Sequence, residues 1–205
     1  MAPPKPRSDY IETDTGNKVA RRAQLHGTQH IILGGRVVIE PSVCIRGDLV
    51  RTTPAASHDV NTSKNEAGEV KDAATAPAPA TNTTSITIGR YTYISHSSLL
   101  RPPHRLHRGH LTYLPQKIGE HVFIAPGCVI EAASIGDYVY IGEGAVVGRL
   151  CVLKEGVRVL AGCVVPAGMV VPGGCVVGGR PGRVVGVVGE GAGGEDGRER
   201  WRGVG

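Results

Sequence analysis

Aromatic side chains and long apolar runs are both scarce in this sequence. The 205 residues include one Phe, one Trp and six Tyr, beside thirty glycines and fourteen prolines. A layered α/β domain usually fills its centre with larger side chains, whereas the Val, Ile and Ala that carry the apolar weight here favour strands and tight stacking. No stretch approaches the roughly eighteen apolar residues that a membrane span needs, so membrane insertion is not expected.

Signals of export and of nucleic-acid binding are also weak. The first residues, MAPPKPRSDY, have no apolar core of a signal peptide, and we expect a disordered N-terminus over residues 1–9 of a cytoplasmic protein. The five cysteines should then be reduced, and none lies in a CxxC pair. The formal charge is +5, but the basic residues do not alternate with aromatics, which argues against nucleic acid as a partner.

An aliphatic residue returns every sixth position through most of the chain. The series begins at Ile88, is interrupted after Leu100, resumes at Ile118, and has one five-residue step, from Ile130 to Ile135. Such a period is typical of a parallel β-helix, in which each repeat makes one strand and one turn and three repeats close a triangular coil. Glycine often follows the aliphatic residue, and we expect it to supply unusual backbone dihedrals at the corners. The other members of the series are Ile94, Ile124, Ile141, Val147, Leu153, Val159, Val165, Val171 and Val177.

The same geometry predicts which side chains face inward. Ile118, Ile135, Leu153 and Val171 should stack above one another inside the prism, because they are one coil apart. The fourth residue after each aliphatic position should also point inward, where space is tight. We interpret the cysteines at these positions as small core residues rather than as metal or disulfide sites. This inner row contains Val122, Cys128, Val139, Ala145, Cys151, Val157, Cys163, Met169 and Cys175.

The predicted fold is all-β, a single-stranded parallel β-helix of hexapeptide repeats over residues 10–181 with extruded loops. Residues 52–85 contain almost no large apolar side chain and are predicted to be a disordered insertion. Residues 102–117 are predicted to form a shorter basic, His-rich loop. Residues 182–205 are too rich in glycine to hold a helix. We predict a disordered tail there, which would leave the edge of the last coil uncapped within the chain.

Several segments that occur in order along the chain carry a family resemblance. YIETDTGNKV begins at Tyr10, IRGDL at Ile45, LRPPH at Leu100 and IGEHVFIAPGCVIEAASIGDYVYIG at Ile118. Together they resemble the dynactin subunit 5 family, pointed-end subunits of the hexapeptide-repeat superfamily that is related to γ-class carbonic anhydrases. The resemblance implies a left-handed parallel β-helix and a role in dynein-driven microtubule transport and in the attachment of cargo such as early endosomes.

The resemblance also implies a cytoplasmic, cytoskeleton-associated hetero-oligomer. The implied partners are an actin-related protein, a second β-helix subunit, a larger pointed-end subunit and dynein cargo adaptors.

The related carbonic anhydrases hold zinc with three histidines, and the resemblance places other residues at those positions. Arg101 stands at the first ligand position, and Pro126 and Glu131 stand at the other two. Catalytic zinc needs three protein ligands, whereas a guanidinium and a proline ring leave at most one. We therefore expect no catalytic residue, metal or cofactor. The alternative is a γ-carbonic-anhydrase-like or acyltransferase enzyme that forms a homotrimer, for which His96 is the candidate general base.

The 102–117 loop is the predicted place of partner contact, because loops on a rigid scaffold commonly carry binding. Its histidines are spaced three apart, but a loop lacks the regular geometry that would bring them together on a metal. We therefore predict a non-catalytic scaffold or adaptor that binds through this loop and through the flat faces of the prism. The candidate contacts are Arg101, His104, Arg105, His107, Arg108 and Tyr113.

Overall fold

The computed structural model describes residues 9–50, 84–107 and 110–188, and in these ranges the chain is built from short β-strands with one 3-10 turn at Thr28–His30. Three sheets form the three faces of a prism, and parallel pairs of strands, one coil apart, make up almost all of each face. We name the sheets faces A, B and C and number the strands in chain order. Within the described residues no α-helix is present, so the predicted all-β, parallel β-helix class is confirmed.

Face A contains nine strands. In spatial order they are β1 (Tyr10–Glu12), β2 (Lys18–Ala20), β5 (Val38–Ile39), β8 (Tyr93–Ile94), β13 (Phe123–Ile124), β16 (Tyr140–Ile141), β19 (Arg158–Val159), β22 (Cys175–Gly178) and β23 (Arg183–Val187).

Faces B and C contain six strands each. Face B consists of β3 (Gln24–His26), β6 (Cys44–Arg46), β9 (Leu99–Leu100), β14 (Val129–Ile130), β17 (Val146–Val147) and β20 (Val164–Val165). Face C consists of β4 (Ile31–Leu33), β7 (Ile86–Ile88), β12 (Gln116–Ile118), β15 (Ser134–Ile135), β18 (Val152–Leu153) and β21 (Val170–Val171).

The stacking of aliphatic residues inside the prism is as predicted. Ile118 pairs in register with Ile135, Ile135 with Leu153, and Leu153 with Val171, and all four side chains are buried. The predicted inner row is buried as well, with the exception of the partly buried Met169. A core of small and β-branched side chains fills the prism because each coil encloses only a narrow space.

The four cysteines of the inner row are core residues, as predicted. All five are free thiols, and the four on the inner row are buried. Burial raises the pKa of Cys128, Cys151 and Cys163 above the ordinary thiol value, so these groups stay protonated and pack as small apolar side chains.

The glycines that follow the aliphatic residues act through close packing and not, as predicted, through unusual dihedrals. A Cβ atom on Gly89 would lie 2.4 Å from the carbonyl oxygen of Gly119, and one on Gly142 would lie 2.5 Å from the backbone nitrogen of Ala161. Positive φ values occur two residues further on, at positions that side chains also occupy, such as Tyr91 at 55°. A hydrogen atom is therefore required after the aliphatic residue because successive coils touch there.

The long insertion leaves the register of the prism undisturbed. The strands on its two sides pair in parallel, with Ile45 opposite Leu100 and Ile39 opposite Ile94. Ser85 is buried, and its hydroxyl donates a 2.8 Å hydrogen bond to the carbonyl oxygen of Leu49. Ser85 therefore belongs to the prism and not to the insertion, contrary to the predicted boundary. The disorder predicted for 52–83 lies outside the described residues.

A polar cluster joins the coil before the insertion to the coil after it. The Tyr93 hydroxyl donates to one Glu40 carboxylate oxygen, and the His96 backbone N–H donates to the other at 2.8 Å. Although burial opposes ionisation, these hydrogen bonds hold the pKa of Glu40 below its ordinary value of 4.5. Burial and the Glu40 carboxylate raise the pKa of Tyr93, which remains a donor.

Both ends of the prism differ from the sequence-based expectation. The parallel coil begins at Lys18 rather than at residue 10, because β1 runs antiparallel to β2. At the other end β23 pairs antiparallel with β22, although these residues were predicted to be disordered. The prediction of an uncapped edge was therefore wrong for face A. The predicted disorder of residues 1–8 and 189–205 lies outside the described ranges.

At the C-terminal end of the prism, two prolines stand at positions where another residue would leave an unpaired backbone N–H group. On face C, Lys154 donates its backbone N–H to Val171, and the equivalent residue one coil later is Pro172. On face B, Gly148 donates to Val165, and its equivalent is Pro166. Proline has no N–H, so neither position offers a donor to a passing strand, a common way of protecting sheet edges.

We expect replacement of residues 51–83 by a short Gly-Ser linker to preserve the prism. The Ser85–Leu49 contact shows that the two ends of the insertion are adjacent. Shortening the loop should raise the free energy of unfolding by at most about 2 kcal/mol, because loop-closure entropy depends only weakly on length. Thermal unfolding measures this, and a substantial loss of stability would show that the insertion packs on the prism.

The Glu40 cluster predicts a specific dependence of stability on pH. A depressed pKa in the folded state contributes stability above the unfolded value, and the contribution disappears as pH falls through the folded value. Glu40→Gln should therefore lower the free energy of unfolding by about 1 kcal/mol at neutral pH. The difference from the unmodified chain should narrow as pH falls below 4.5. A difference that stays constant down to acid pH in denaturant titrations would contradict this origin.

Candidate functional site

An ion pair joins Arg101 and Glu131, two of the three residues that were predicted to stand at metal-ligand positions. Arg101 follows β9 and Glu131 follows β14, and the register of these strands sets Leu100 opposite Ile130, so the two charged residues lie side by side on consecutive coils. The Arg101 guanidinium donates directly to the Glu131 carboxylate. The Glu131 side chain is only 16% exposed, whereas that of Arg101 is 40% exposed. The arginine thus neutralises the largely buried carboxylate.

The third position, Pro126, contributes only backbone groups to its surroundings. Its carbonyl oxygen accepts the backbone N–H of Gly144 at 2.9 Å, which links consecutive turns between faces A and B. Its ring supplies no metal ligand. Across residues 9–50, 84–107 and 110–188, no group of three His, Cys, Asp or Glu side chains is arranged to hold a metal ion.

The segment between Arg101 and Gln116 forms a β-hairpin where a basic loop was predicted. Strands β10 (His104–His107) and β11 (His110–Tyr113) pair antiparallel, with His104 opposite Tyr113 and Leu106 opposite Leu111. The hairpin leaves the prism between faces B and C and returns at β12. A hairpin holds its side chains in a defined register, which an irregular loop would not do.

The base of the hairpin is buried and polar. Gln116 was predicted to belong to the loop, but its side chain is buried and its amide donates to the carbonyl oxygen of Ala132 at 3.0 Å. Two buried side-chain atoms have no hydrogen-bond partner among the described residues, and both lie here: Nε of Arg101 and Oε1 of Gln116. This base fixes where the hairpin leaves the prism.

A second contact holds the hairpin near the body of the prism. Nη1 of Arg149 lies 3.2 Å from Nε2 of His104, and the His104 ring lies 5.9 Å from that of Tyr113 in a tilted arrangement. Arg149 belongs to the turn after β17. His104 and Tyr113, two of the predicted partner contacts, therefore support the hairpin as well as forming part of its surface.

An exposed apolar pair is the main feature of the hairpin that the sequence analysis missed. The Leu106 side chain is 73% exposed and that of its cross-strand neighbour Leu111 is 51% exposed. Alternation along a strand places Leu106 on the same side as His104 and directs Arg105 to the other side. One side of the hairpin is therefore apolar, and a cation lies on the opposite side. The two-sided character of the strand could have been predicted from the sequence HRLH, in which Arg105 and Leu106 are neighbours and so point to opposite sides.

The predicted contact residues are brought together only in part. Arg105 is exposed, and its backbone pairs with Thr112, whereas His107 pairs in register with His110 at the tip. Arg101 forms an ion pair with Glu131 at the base of the hairpin. Arg108 lies outside the described residues.

His96, the candidate base of the enzyme alternative, lies at the corner between faces A and B. Its Nδ1 atom is 3.2 Å from the Glu40 carboxylate, and its side chain is largely exposed.

The described part of the chain forms no helix with the length and hydropathy of a membrane span.

Similarity to known proteins supports both the fold and the family. A dynactin subunit 5 from Dictyostelium discoideum is 36% identical over 131 residues, which are 64% of this chain and 49% of that protein. The chain thus spans about half the length of that relative. Among solved structures, a hexapeptide transferase family protein from Anaplasma phagocytophilum matches with a TM-score of 0.53 and 20% identity, covering 86% of this chain and 82% of its own.

A second solved structure shares the same fold. It is a perosamine N-acetyltransferase from Caulobacter crescentus, which matches with a TM-score of 0.54 and 16% identity over 83% of this chain and 56% of its own. At these identities the two structures show the left-handed β-helix fold alone. The family model described as Dynactin subunit 5 matches residues 79–194, more than half of the 205 residues. The chain therefore belongs to the dynactin subunit 5 family.

Proposed function

We propose that this chain is a non-catalytic scaffold and adaptor subunit of the dynactin pointed-end complex. In this role it supports dynein-driven transport along microtubules and the attachment of cargo such as early endosomes, in the cytoplasm and on the cytoskeleton. Membership of the dynactin subunit 5 family supports the assembly. The proposed partners are an actin-related protein, a second β-helix subunit, a larger pointed-end subunit and dynein cargo adaptors.

The Arg101–Glu131 ion pair is the observation that carries the non-catalytic part of the proposal. A zinc site at this place would need the carboxylate or a histidine to face the metal, but the carboxylate faces a guanidinium. An arginine that stays protonated at any physiological pH cannot act as a metal ligand. A zinc-dependent active site would therefore lack its first protein ligand at Arg101.

A rigid prism with a projecting hairpin suits a scaffold. The coil-to-coil hydrogen bonds and the continuous core hold the base of the hairpin in place. The Leu106 and Leu111 side chains can each contribute about 1.5–3 kcal/mol if a partner buries them completely. Arg105 lies on the opposite side of the hairpin, and its positive charge favours association with an acidic partner through long-range electrostatic steering.

The full-length chain should enter a hetero-complex rather than form an enzyme-like homotrimer. When a tagged chain is expressed in cells of its source, it should sediment with dynactin and co-purify with an actin-related protein and a second β-helix subunit. The purified chain alone should contain no stoichiometric zinc. A stable homotrimer by light scattering, with bound zinc in the same sample, would instead establish the γ-carbonic-anhydrase-like alternative.

Replacement of the apolar hairpin pair should weaken binding without unfolding the prism. Leu106→Ser/Leu111→Ser removes two exposed side chains, so the thermal midpoint should change little, while recovery of cargo adaptors or neighbouring subunits should fall about tenfold. The matched control is Leu160→Ser/Val170→Ser, which alters two other exposed aliphatic residues at the last coils. Equal recovery of partners by the hairpin variant and the control would show that the hairpin does not bind them.

A further inference from the structure

Two stacks of rings lie on the outside of the prism, one on face A and one at the turns that lead from face C into face A. Tyr91, His121 and Tyr138 stack with ring centroids 4.8 and 4.9 Å apart and interplanar angles of 8° and 2°. A second column, two residues further along the chain at each level, contains Tyr93, Phe123 and Tyr140, with centroids 5.4 Å apart in each step. We call these the outer and the central ladder. Together they contain the only Phe and four of the six Tyr in the chain.

The outer ladder is covered by a cation at one end and open at the other. The Arg36 guanidinium lies over the Tyr91 ring, 5.5 Å from its centroid. At the opposite end, the backbone N–H of Gly156 bonds to the carbonyl oxygen of Asp137, which places this glycine above Tyr138 in the stack. Gly156 has no side chain to cover the ring, and the Tyr138 side chain is 60% exposed.

A column of charged residues runs beside the outer ladder, with Arg90 before Tyr91 and a carboxylate at each of the next three levels. Glu120, Asp137 and Glu155 each immediately precede a member of the ladder column, and all three are exposed. The ion pairs found among the described residues involve none of the three. Asp137 accepts the backbone N–H of Glu120 at 2.7 Å, which fixes its carboxylate against the rim of the ladder. Three anions in a row are notable in a chain of net charge +5.

We infer that this surface is a docking site for a basic segment of a protein partner, with an arginine side chain over the open face of Tyr138. A guanidinium is attracted to the negative face of an aromatic ring, as Arg36 demonstrates at the other end of the same ladder. Asp137 precedes Tyr138 on the same coil and Glu155 precedes Gly156 on the next coil, so both supply the opposite charge near that ring. Arginine suits the site because its planar group stacks on a ring while its N–H groups bond to carboxylates.

A purely structural role accounts for only part of the surface. Stacking between coils explains why Tyr91 and His121 are in contact, because each ring covers the next. It does not explain an exposed terminal ring beneath a glycine, or the exposed Glu155 carboxylate beside it, which lies outside the ion pairs of the described residues. The proposed site lies where face C leads into face A, away from the hairpin between faces B and C, and it does not depend on binding by Leu106 and Leu111.

The test is a photo-crosslink from the central ladder. The full-length chain, with a photoreactive benzoylphenylalanine in place of the partly exposed Tyr140, is expressed in cells and irradiated, and the crosslinked peptides are sequenced by mass spectrometry. The expected product joins this position to a segment of another protein with arginine or lysine within a few residues of the crosslink. Crosslinking to residues 189–205 of the same chain, to a second copy, to a segment without basic residues, or to nothing would overturn the inference.

Two variants then test the recognition chemistry on that crosslinked product. Tyr138→Leu removes the ring, and Asp137→Asn/Glu155→Gln removes two charges while the amide oxygen introduced at position 137 can still accept the Glu120 N–H. Each should lower the crosslink yield roughly five- to tenfold, with an unchanged thermal midpoint for the charge variant. The matched control, Glu12→Gln/Asp14→Asn, removes the same charge at the opposite end of the prism and should leave the yield unchanged. Equal yields for the control and the Asp137/Glu155 variant would also overturn the inference.

Discussion

The hydrogen bonds between consecutive coils determine nearly everything else in this structure. Each strand donates to the coil that follows it, as Lys117 does to Ala133 and Gly119 to Ile135, so that equivalent residues lie directly above one another. Adjacent strands are about 4.8 Å apart, and a side chain on one coil therefore touches its equivalent on the next. The inner rows become a continuous core, and the outer rows become ladders of similar groups.

This stacking explains why the interior is built from small and β-branched side chains. A residue inside the prism must fit between its equivalents above and below, so substitutions of different size have no space into which to move. The same constraint acts on the backbone where Gly89 meets Gly119, since a Cβ atom cannot be accommodated there. Where glycine follows the aliphatic residue, as at Gly89 and Gly142, it is thus a requirement of packing between coils.

On the outside, the same repetition creates surfaces whose chemistry depends on which residues share a column. The Arg101–Glu131 pair arises because two charged residues occupy equivalent positions on consecutive coils of face B. The aromatic ladders on and beside face A arise in the same way from the repeated segments IGRYTYI, IGEHVFI and IGDYVYI. The hairpin is different, because it leaves the prism and escapes this repetition, which allows it to present Leu106 and Leu111 to solvent. A solenoid can carry such an extension without disturbing its coils, as the preserved register across both interruptions shows.

The six-residue period by itself determined the fold class, the stacking of Ile118 on Ile135 and the burial of the cysteines, because these depend on spacing that is visible locally. The family could also be predicted, since the resemblance depends on short contiguous segments. The correspondence of Arg101, Pro126 and Glu131 to metal-ligand positions stays a prediction. Only the tertiary structure decided which distant groups meet. Tyr91 and His121 are thirty residues apart in the sequence, whereas His121 and Tyr138 are only seventeen apart. The lengths of the intervening segments therefore determine which residues lie in one column. The strand at Arg183–Val187 contains three valines, which favour a strand, but it lies in a tail that is rich in glycine as a whole. It forms because the open edge of β22 supplies hydrogen-bond partners that the sequence alone does not reveal.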